Sequence, residues 1–462
     1  MPNKIKKVLI ANRGEIAVRI IRSLKDMGIK SVAVFSEVDR ESLHTRIADE
    51  CICVGPKNAK ESYLNKIQII NAAIVTGADA IHPGFGFLAE DPEFAKLCEI
   101  YNIKFIGPSS KVIGLMGNKD VSKKMMQSID IPVVPGSDGI VETVALAKEI
   151  SRKIGYPVIV KARSGGGGKG MRIINSEDEL ENSFKAAKKE AENAFGDGAL
   201  YIEKYIVKPR HIEVQILADE FGNVIHLGAR DCSIQMNHQK VIEEAPPTAI
   251  SKEIMDKLYE ISIKAAKYVG YSNVGTIEYL VSENNEVFFM EMNTRIQVEH
   301  PVTEMVTGID IVKEQINIAS KKKLSYKQDD IKIEGCAIEC RINAYDSDRN
   351  FIPSVGKIDC LNIPGGYGVR VDSSIYQGYD ISPFYDSMLA KVICFGKTRE
   401  EAINIMDRAL DEFIVEGVKT NIKFNKMIMN DIDYIQNNYS TSFLEDKVRR
   451  EGEWWLYDIR AF

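Results

Sequence analysis

Two segments, Thr276-Ile277-Glu278-Tyr279-Leu280-Val281 and Val287-Phe288-Phe289-Met290-Glu291-Met292-Asn293, flank the polar stretch Ser282-Glu283-Asn284-Asn285-Glu286. The pattern is that of a β-hairpin. With Asn284-Asn285 as a two-residue turn, Ile277 faces Met292, Tyr279 faces Met290 and Val281 faces Phe288, which makes one apolar face. On the other face Glu278 stands across from Glu291, and Thr276 across from Asn293. Directly opposed like charges are destabilising, so a cation is expected between them. Two carboxylates and an amide oxygen suit a hard ion, Mg²⁺ or Mn²⁺, bridging phosphates. The solvated outer face of an ordinary hairpin would show the same pattern.

Thr294-Arg295-Ile296-Gln297-Val298-Glu299-His300-Pro301 follows at once. Arg295 could grip an anionic substrate with its guanidinium fork, and Glu299 could deprotonate it. A surface salt bridge is the plainer reading of those two residues alone. Upstream, residues 231–240 gather several polar donors, among them Gln235, His238 and Lys240. Taken alone, His211 and His238 read first as core histidines satisfied by local hydrogen bonds.

A second chemical feature is the run Ser164-Gly165-Gly166-Gly167-Gly168-Lys169-Gly170 between the strand 157–162 and the segment Met171-Arg172-Ile173-Ile174. A P-loop needs Ser or Thr after its lysine, and Gly170 stands there. A dinucleotide turn must open into a helix, whereas a strand follows here. Strand, glycine loop, strand is the arrangement of a flap that lays backbone N–H groups over nucleotide phosphates. A mobile surface loop is the alternative, although four glycines are an entropic cost that a plain turn seldom carries. Lys161, at the end of the strand, would point its cation at the phosphates. Ser176, with Glu179, is expected to cap the helix after the second strand.

The elements that position these residues fall into three regions. Up to Gly107, short apolar strands alternate with helices: strand 7–11, helix 16–24, strand 31–35, helix 42–49, strand 51–54, helix 63–75, strand 79–82, helix 92–101 and strand 104–107. That order implies a doubly wound parallel sheet with ligands at the carboxyl ends of its strands. Asn12-Arg13-Gly14-Glu15 and His82-Pro83-Gly84-Phe85-Gly86-Phe87 fall there, and the single glycine of the first turn argues against nicotinamide binding. A helix is expected from Ser110 towards Ser128, then mixed strands and helices to about residue 324. A last region of Gly- and Pro-rich strands is closed by helices. The predicted class is α/β and α+β.

The chain has 462 residues, is 45% hydrophobic and 27% charged, and carries a formal charge of −6. That composition builds a globular core and argues against nucleic-acid coating, which depends on phosphate neutralisation. No apolar run approaches membrane-spanning length, and the N-terminal apolar stretch is too short for a signal peptide. The eight scattered cysteines read as reduced thiols. A cytoplasmic protein is expected.

Residues 291–304 resemble the signature of biotin carboxylase, an ATP-grasp enzyme. So do Ala11-Asn12-Arg13-Gly14-Glu15-Ile16-Ala17, residues 82–88, Glu339-Cys340-Arg341-Ile342-Asn343-Ala344 and Tyr385-Asp386-Ser387-Met388, and the likeness covers about residues 4–445. It implies an N-terminal domain over 1–114, an ATP-grasp domain over 115–330 with a lid at about 133–203, and a C-terminal domain over 331–446. It implies ATP- and bicarbonate-dependent carboxylation of biotin through carboxyphosphate. This is the first half-reaction of a biotin-dependent carboxylase such as acetyl-CoA carboxylase or a two-subunit pyruvate carboxylase. A non-biotin ATP-grasp ligase and an inactive nucleotide-binding subunit are the alternatives.

By position the resemblance makes Glu299 the base, and Lys240, Arg295, Gln297 and Val298 the bicarbonate site. Arg341 would steady the biotin enolate. ATP would contact Lys119, Lys161, Gly167, Gly168, Glu203, Lys204, Tyr205, Ile206, His211, Gln235, His238, Glu278, Leu280 and Glu291. Glu278, Glu291 and Asn293 would hold Mg²⁺ or Mn²⁺, in agreement with the hairpin argument. Met236-Asn237 departs from the family's usual basic pair, and Arg163 could partly compensate for the lost charge. None of the 15 methionines precedes a lysine, so no biotin-attachment motif of the Met-Lys-Met type is present. The implied partners are a biotin carboxyl carrier protein, a carboxyltransferase subunit and a second copy of the chain in a homodimer.

Overall fold

The computed structural model describes residues 5–163, 171–237, 239–349 and 351–451. Gly167, Gly168, His238, Trp454 and Trp455 lie outside the described residues. The N-terminal region forms a five-stranded parallel sheet in the order Glu50–Gly55, Lys30–Ser36, Lys7–Ile10, Ala80–His82, Lys104–Phe105. Its strands are near-continuous apolar runs because helices cover both faces. The two loops at its carboxyl edge are tied together: Asn12 Nδ2 donates to the carbonyls of Pro83 at 2.8 Å and Phe85 at 2.7 Å. Gly84 makes that approach possible, since a Cβ there would lie 2.9 Å from Asn12 Nδ2 and its φ is +64°.

The expected helix from Ser110 to Ser128 is two helices, Ser110–Gly117 and Lys119–Gln127. Asn118 breaks it with extended backbone and caps the second helix, accepting from the N–H groups of Asp120 and Val121. Lys119 therefore starts a helix instead of lying inside one. A separate three-stranded sheet runs Met171–Ile174, Val158–Ala162, Leu200–Lys204, and the helices Val144–Ile154 and Glu177–Phe195 accompany it. Ser176 is the N-cap residue of the latter helix, but its side chain makes no capping bond. Glu179 reaches back to the Asn175 N–H instead, at 3.1 Å.

One antiparallel eight-stranded sheet joins the middle of the chain to its C-terminal region. Its order is Val287–Asn293, Asn273–Val281, Arg210–Ala218, Val224–Met236, Gln239–Ala245, Cys336–Asn343, Met388–Gly396, Val369–Ser373. Among the described residues, no helix is long and apolar enough to cross a membrane.

Within the hairpin, Thr276 faces Asn293, Ile277 faces Met292 and Glu278 faces Glu291 as expected. Beyond Glu278 the register shifts by one, so that Tyr279 faces Phe289 and Val281 faces Val287, not Met290 and Phe288. The cause lies in the turn. Ser282 N–H bonds to the Glu286 carbonyl, and Asn285 takes φ +61°, so three residues form the loop and Met290 becomes the extra residue of a bulge. Phe289 is fully buried and meets Tyr279 edge-on at 6.3 Å between ring centroids. Phe289→Ala should therefore destabilise the fold by about 3–5 kcal/mol, read as a lower melting temperature. An unchanged melting temperature would show that the bulge does not lock this ring into the core.

Candidate functional site

The Glu278 face of the large sheet is buried, not solvated. From the Arg210–Ala218 strand come His211, Glu213 and Gln215, alternate residues on one face, and from the next strands come Arg230, Gln235 and Lys240. Lys240 Nζ lies 2.7 Å from Glu213 Oε2, 3.1 Å from Glu278 Oε1 and 2.6 Å from Glu299 Oε1. Glu278 is held further by Asn293 Nδ2 at 2.9 Å, Gln297 Nε2 at 3.0 Å and His211 Nε2 at 3.0 Å. Gln235 Nε2 approaches His211 Nδ1 at 2.8 Å while also donating to the Cys232 carbonyl. Since an amide nitrogen only donates, Nδ1 accepts and the ring proton sits on Nε2, the nitrogen that lies 3.0 Å from Glu278 Oε2. The plain core reading of His211 is therefore corrected: its partners are distant site residues.

A guanidinium closes each side. Arg295 donates to Glu90 Oε2 at 2.8 Å, Gln297 Oε1 at 2.7 Å and Asn293 Oδ1 at 2.9 Å. Arg341 donates from Nε to Glu243 Oε1 at 2.6 Å and from Nη2 to Glu299 Oε2 at 3.0 Å. Arg341 and Asn343 point to this side of their strand, while Ile338, Cys340 and Ile342 enter a core cluster on the other. The Val298 carbonyl accepts from Lys391, a fully buried lysine, at 2.8 Å.

Lys119, His211, Gln235, Lys240, Glu278, Glu291, Asn293, Arg295, Gln297, Val298 and Arg341 line one cleft of about 1160 Å³, between the N-terminal loops and the large sheet. Lys119 Nζ lies 3.1 Å from Glu291 Oε2. Lys161 lies 2.5 Å from Glu203, which Lys123 also holds. Lys204 turns its ammonium to the carbonyls of Gly155 and Tyr156 at 3.0 and 2.8 Å, away from this cleft. Tyr205 and Ile206 follow it past the end of the Leu200–Lys204 strand, and Leu280 pairs with His211 across the large sheet. Arg163 pairs with Asp197 at 2.9 Å, so it does not replace charge at Met236-Asn237, which line the cleft without any basic group of their own.

Electrostatics fix the protonation states. Burial alone would raise Glu299, but Lys240, Arg341 and Arg230 hold its carboxyl well below the usual range. Burial is likewise outweighed at Glu278 by Lys240 and His211, and at Glu203, which Lys161 and Lys123 bring down to about 2. Burial works against charge on Lys240 too, yet its anionic neighbours push its pKa well up. Burial, with Glu299 and Glu278 beside it, raises Glu213 despite Arg230 and Lys240, so the site is a lattice of alternating cations and acids.

The oxygen donors of Glu278, Glu291 and Asn293 fit a divalent ion. The Lys119 and Lys240 ammonium groups already rest on Glu291 and Glu278, which marks both as cation positions. Two buried groups, His211–Glu213–Glu278 and Glu213–Cys232–Glu299, also bring potential ligand atoms within 4.8 Å of one another. Lys240 already supplies the cation there.

The residues in contact with the site that sequence reasoning missed are Glu90, Glu213, Arg230, Glu243 and Lys391. Only Glu213 left a local signal: His211, Glu213 and Gln215 alternate with apolar residues in one strand.

Residues 4–113 match the family profile "Biotin carboxylase, N-terminal domain", residues 118–327 match "Carbamoyl-phosphate synthase L chain, ATP binding domain", and residues 339–446 match "Biotin carboxylase C-terminal domain". The chain is 55% identical to Biotin carboxylase 1 of Bacillus subtilis, over 96% of this chain and 98% of that one. It superposes with a TM-score of 0.91 on a biotin carboxylase–ATP-type complex from Campylobacter jejuni, at 49% identity and covering 96% and 99% of the two chains. It also superposes, with a TM-score of 0.90, on the biotin carboxylase domain dimer of Hydrogenobacter thermophilus 2-oxoglutarate carboxylase, solved with MgADP and bicarbonate. The identity there is 49%, over 96% and 98% of the chains.

Arg230 is fully buried and is the second cation on Glu213, besides donating to Gln215 at 2.7 Å and Thr303 at 2.9 Å. Arg230→Met should lower stability by about 3–5 kcal/mol by leaving Glu213 short of charge. The check is thermal melting, and a loss below about 1 kcal/mol would mean that Lys240 alone neutralises Glu213.

Proposed function

The chain belongs to the biotin carboxylase family, and from its site we propose how its residues carry out the ATP- and bicarbonate-dependent carboxylation of biotin. The observation that carries this reading is Lys240, placed on Glu213, Glu278 and Glu299 together, with Arg295 and Arg341 facing the same cleft.

Bicarbonate is held by Lys240, Arg295, Gln297 and the Val298 backbone, and Glu299 takes its proton. In the lattice described above Glu299 is a weak base, because Lys240 and Arg341 favour its charged form. An anion that draws Lys240 towards itself weakens that hold, so Glu299 gains basicity when substrate is present. The bicarbonate oxygen attacks the γ-phosphoryl of ATP to give carboxyphosphate and ADP. Carboxyphosphate then releases CO₂ and a phosphate that takes the N1′ proton of biotin. Arg341 offsets the enolate charge while N1′ attacks CO₂.

Lys119, Lys161, His211 and the glycine flap with Gly167 and Gly168 are assigned to the nucleotide. So are Glu203, Lys204, Tyr205, Ile206, Gln235, His238 and Leu280. Glu203 serves as the counter-ion that Lys161 leaves when phosphates arrive. Glu278, Glu291 and Asn293 would hold Mg²⁺ or Mn²⁺, which when bound neutralises phosphate charge. Functional units at 1–114, 115–330 with a lid at about 133–203, and 331–446 are part of the same reading. So are the carrier protein and carboxyltransferase as partners, a homodimer, and a cytoplasmic location, which the eight unpaired cysteines support.

ADP release should require bicarbonate and rise with free biotin, and ADP formation indifferent to both would refute the assignment. A streptavidin blot of the purified chain should be blank, since a signal would place the biotin on this polypeptide. Glu291→Gln should abolish MgATP turnover while melting within about 0.5 kcal/mol of the parent, because its partner Lys119 is largely exposed. Retained turnover would remove Glu291 from the metal set. Arg341→Lys keeps a cation for Glu243 and Glu299, so it should fold, yet lose about 100-fold in biotin carboxylation. ATP binding, measured by titration, should be unchanged.

A further inference from the structure

The sheet buries an acid pair for which the reaction described above has no task. Glu243 and Glu339 are cross-strand partners, so their side chains share a face, and the helix His300–Thr307 packs over those strands. Both are 0% exposed. Arg341 Nε donates to Glu243 Oε1 at 2.6 Å, but Glu243 Oε2 and both carboxyl oxygens of Glu339 are buried without a hydrogen-bond partner. Two adjacent anions with three bare oxygens are not sustainable in a dry interior.

The charged and titratable neighbours do not relieve this: on the covering helix, burial holds His300 well down and neutral, with its Nδ1 2.8 Å from the Gln297 carbonyl, and Glu304 pairs with Arg19 and Arg370. Arg341, Glu299 and Lys240 act on Glu243, and Lys391 acts on Glu339 from the next strand. Lys391 itself is engaged by the Val298 carbonyl and by Glu15 at 3.2 Å. The thiols of Cys232 and Cys340 are pushed up by burial and stay neutral. Burial brings Glu243 up to about 7 despite Arg341, and takes Glu339 well above the carboxylate range.

We propose that Glu243 and Glu339 share one proton, which passes between them as Arg341 passes between Glu243 and the substrate. This rests on the Arg341 role given above. When the guanidinium turns to the biotin enolate, Glu243 loses its cation. The O–H bond on Glu339 then breaks, an O–H bond forms on Glu243, and the negative charge moves to Glu339 beside Lys391. The return of Arg341 reverses the transfer. No proton enters from solvent, and the pair carries a single negative charge throughout. Glu243 and Glu339 are positioning residues that act through Arg341.

Infrared spectra of the full-length chain at neutral pH test this. A deuterium-sensitive protonated-carboxyl C=O band should disappear in Glu339→Gln and return in Glu339→Asp. In the parent chain it should shift when ADP, bicarbonate and biotin are added together. Glu339→Gln, isosteric with the neutral acid, should melt at or above the parent temperature and gain most at alkaline pH. There the parent pays for deprotonating a group whose folded pKa is raised. Its kcat for biotin carboxylation should fall about tenfold, because Arg341 can then leave only by stranding Glu243, while KM for ATP stays put. A band indifferent to Glu339 and Glu243, an unfolded Glu339→Gln or an unchanged kcat would each overturn the proposal. A Glu339-dependent band in a chain that never carboxylates biotin would instead overturn the functional reading and leave the acid pair standing.

Discussion

Three carboxylates can share one buried point only if a cation stands there, and Lys240 stands between Glu213, Glu278 and Glu299. Removing one partner from such a cluster strands the others in a medium that cannot solvate them. Arg230 beneath it and Arg295 and Arg341 at its flanks extend the same arrangement, each arginine shared between at least two acceptors. The alternation of cations and anions lets a dense group of charges exist inside the protein.

Placing these groups requires strands from distant parts of the chain to lie side by side. The continuous antiparallel sheet does this, carrying Glu278 and Asn293 at one edge, Glu213 and Lys240 in the middle and Arg341 beyond. Pairing of Gln239–Ala245 with Cys336–Asn343 brings Arg341 to Glu299. The turn between the Ala80–His82 strand and the helix Pro92–Ile100 adds Glu90, which holds Arg295. The two regions that the sequence divides at about residue 330 thus build one site on one shared sheet.

Much of this was legible because it is local. Alternation placed Glu278 opposite Glu291, and strand–helix alternation gave the N-terminal sheet. What failed was either a single-residue event or a long-range partner. The extra residue at Met290 leaves the apolar pattern almost intact, and a turn of Asn284-Asn285 is as good on paper as the three-residue loop with Asn285 left-handed. Asn118 sits in a run that reads as one helix until its side chain is seen capping the next turn. Arg230 and Lys391 carry no local mark, since their meaning lies in acids on other strands. The resemblance to a family supplied the roles that local reading could not reach, above all those of Arg341 and the ATP contacts.

The claim that Lys240 is the charge on which the cluster depends is tested most directly by melting Lys240→Met across about pH 5 to 9. In the parent, Glu278 and Glu299 have depressed folded pKa values, so their contribution is complete above the unfolded carboxylate range and is lost only as the pH falls from there through the lower folded values. Without Lys240 those folded values rise above the unfolded ones, and the stability deficit should grow as the pH rises. A deficit that is flat across that range would contradict the account, because it would mean the carboxylates are neutralised by something other than this lysine.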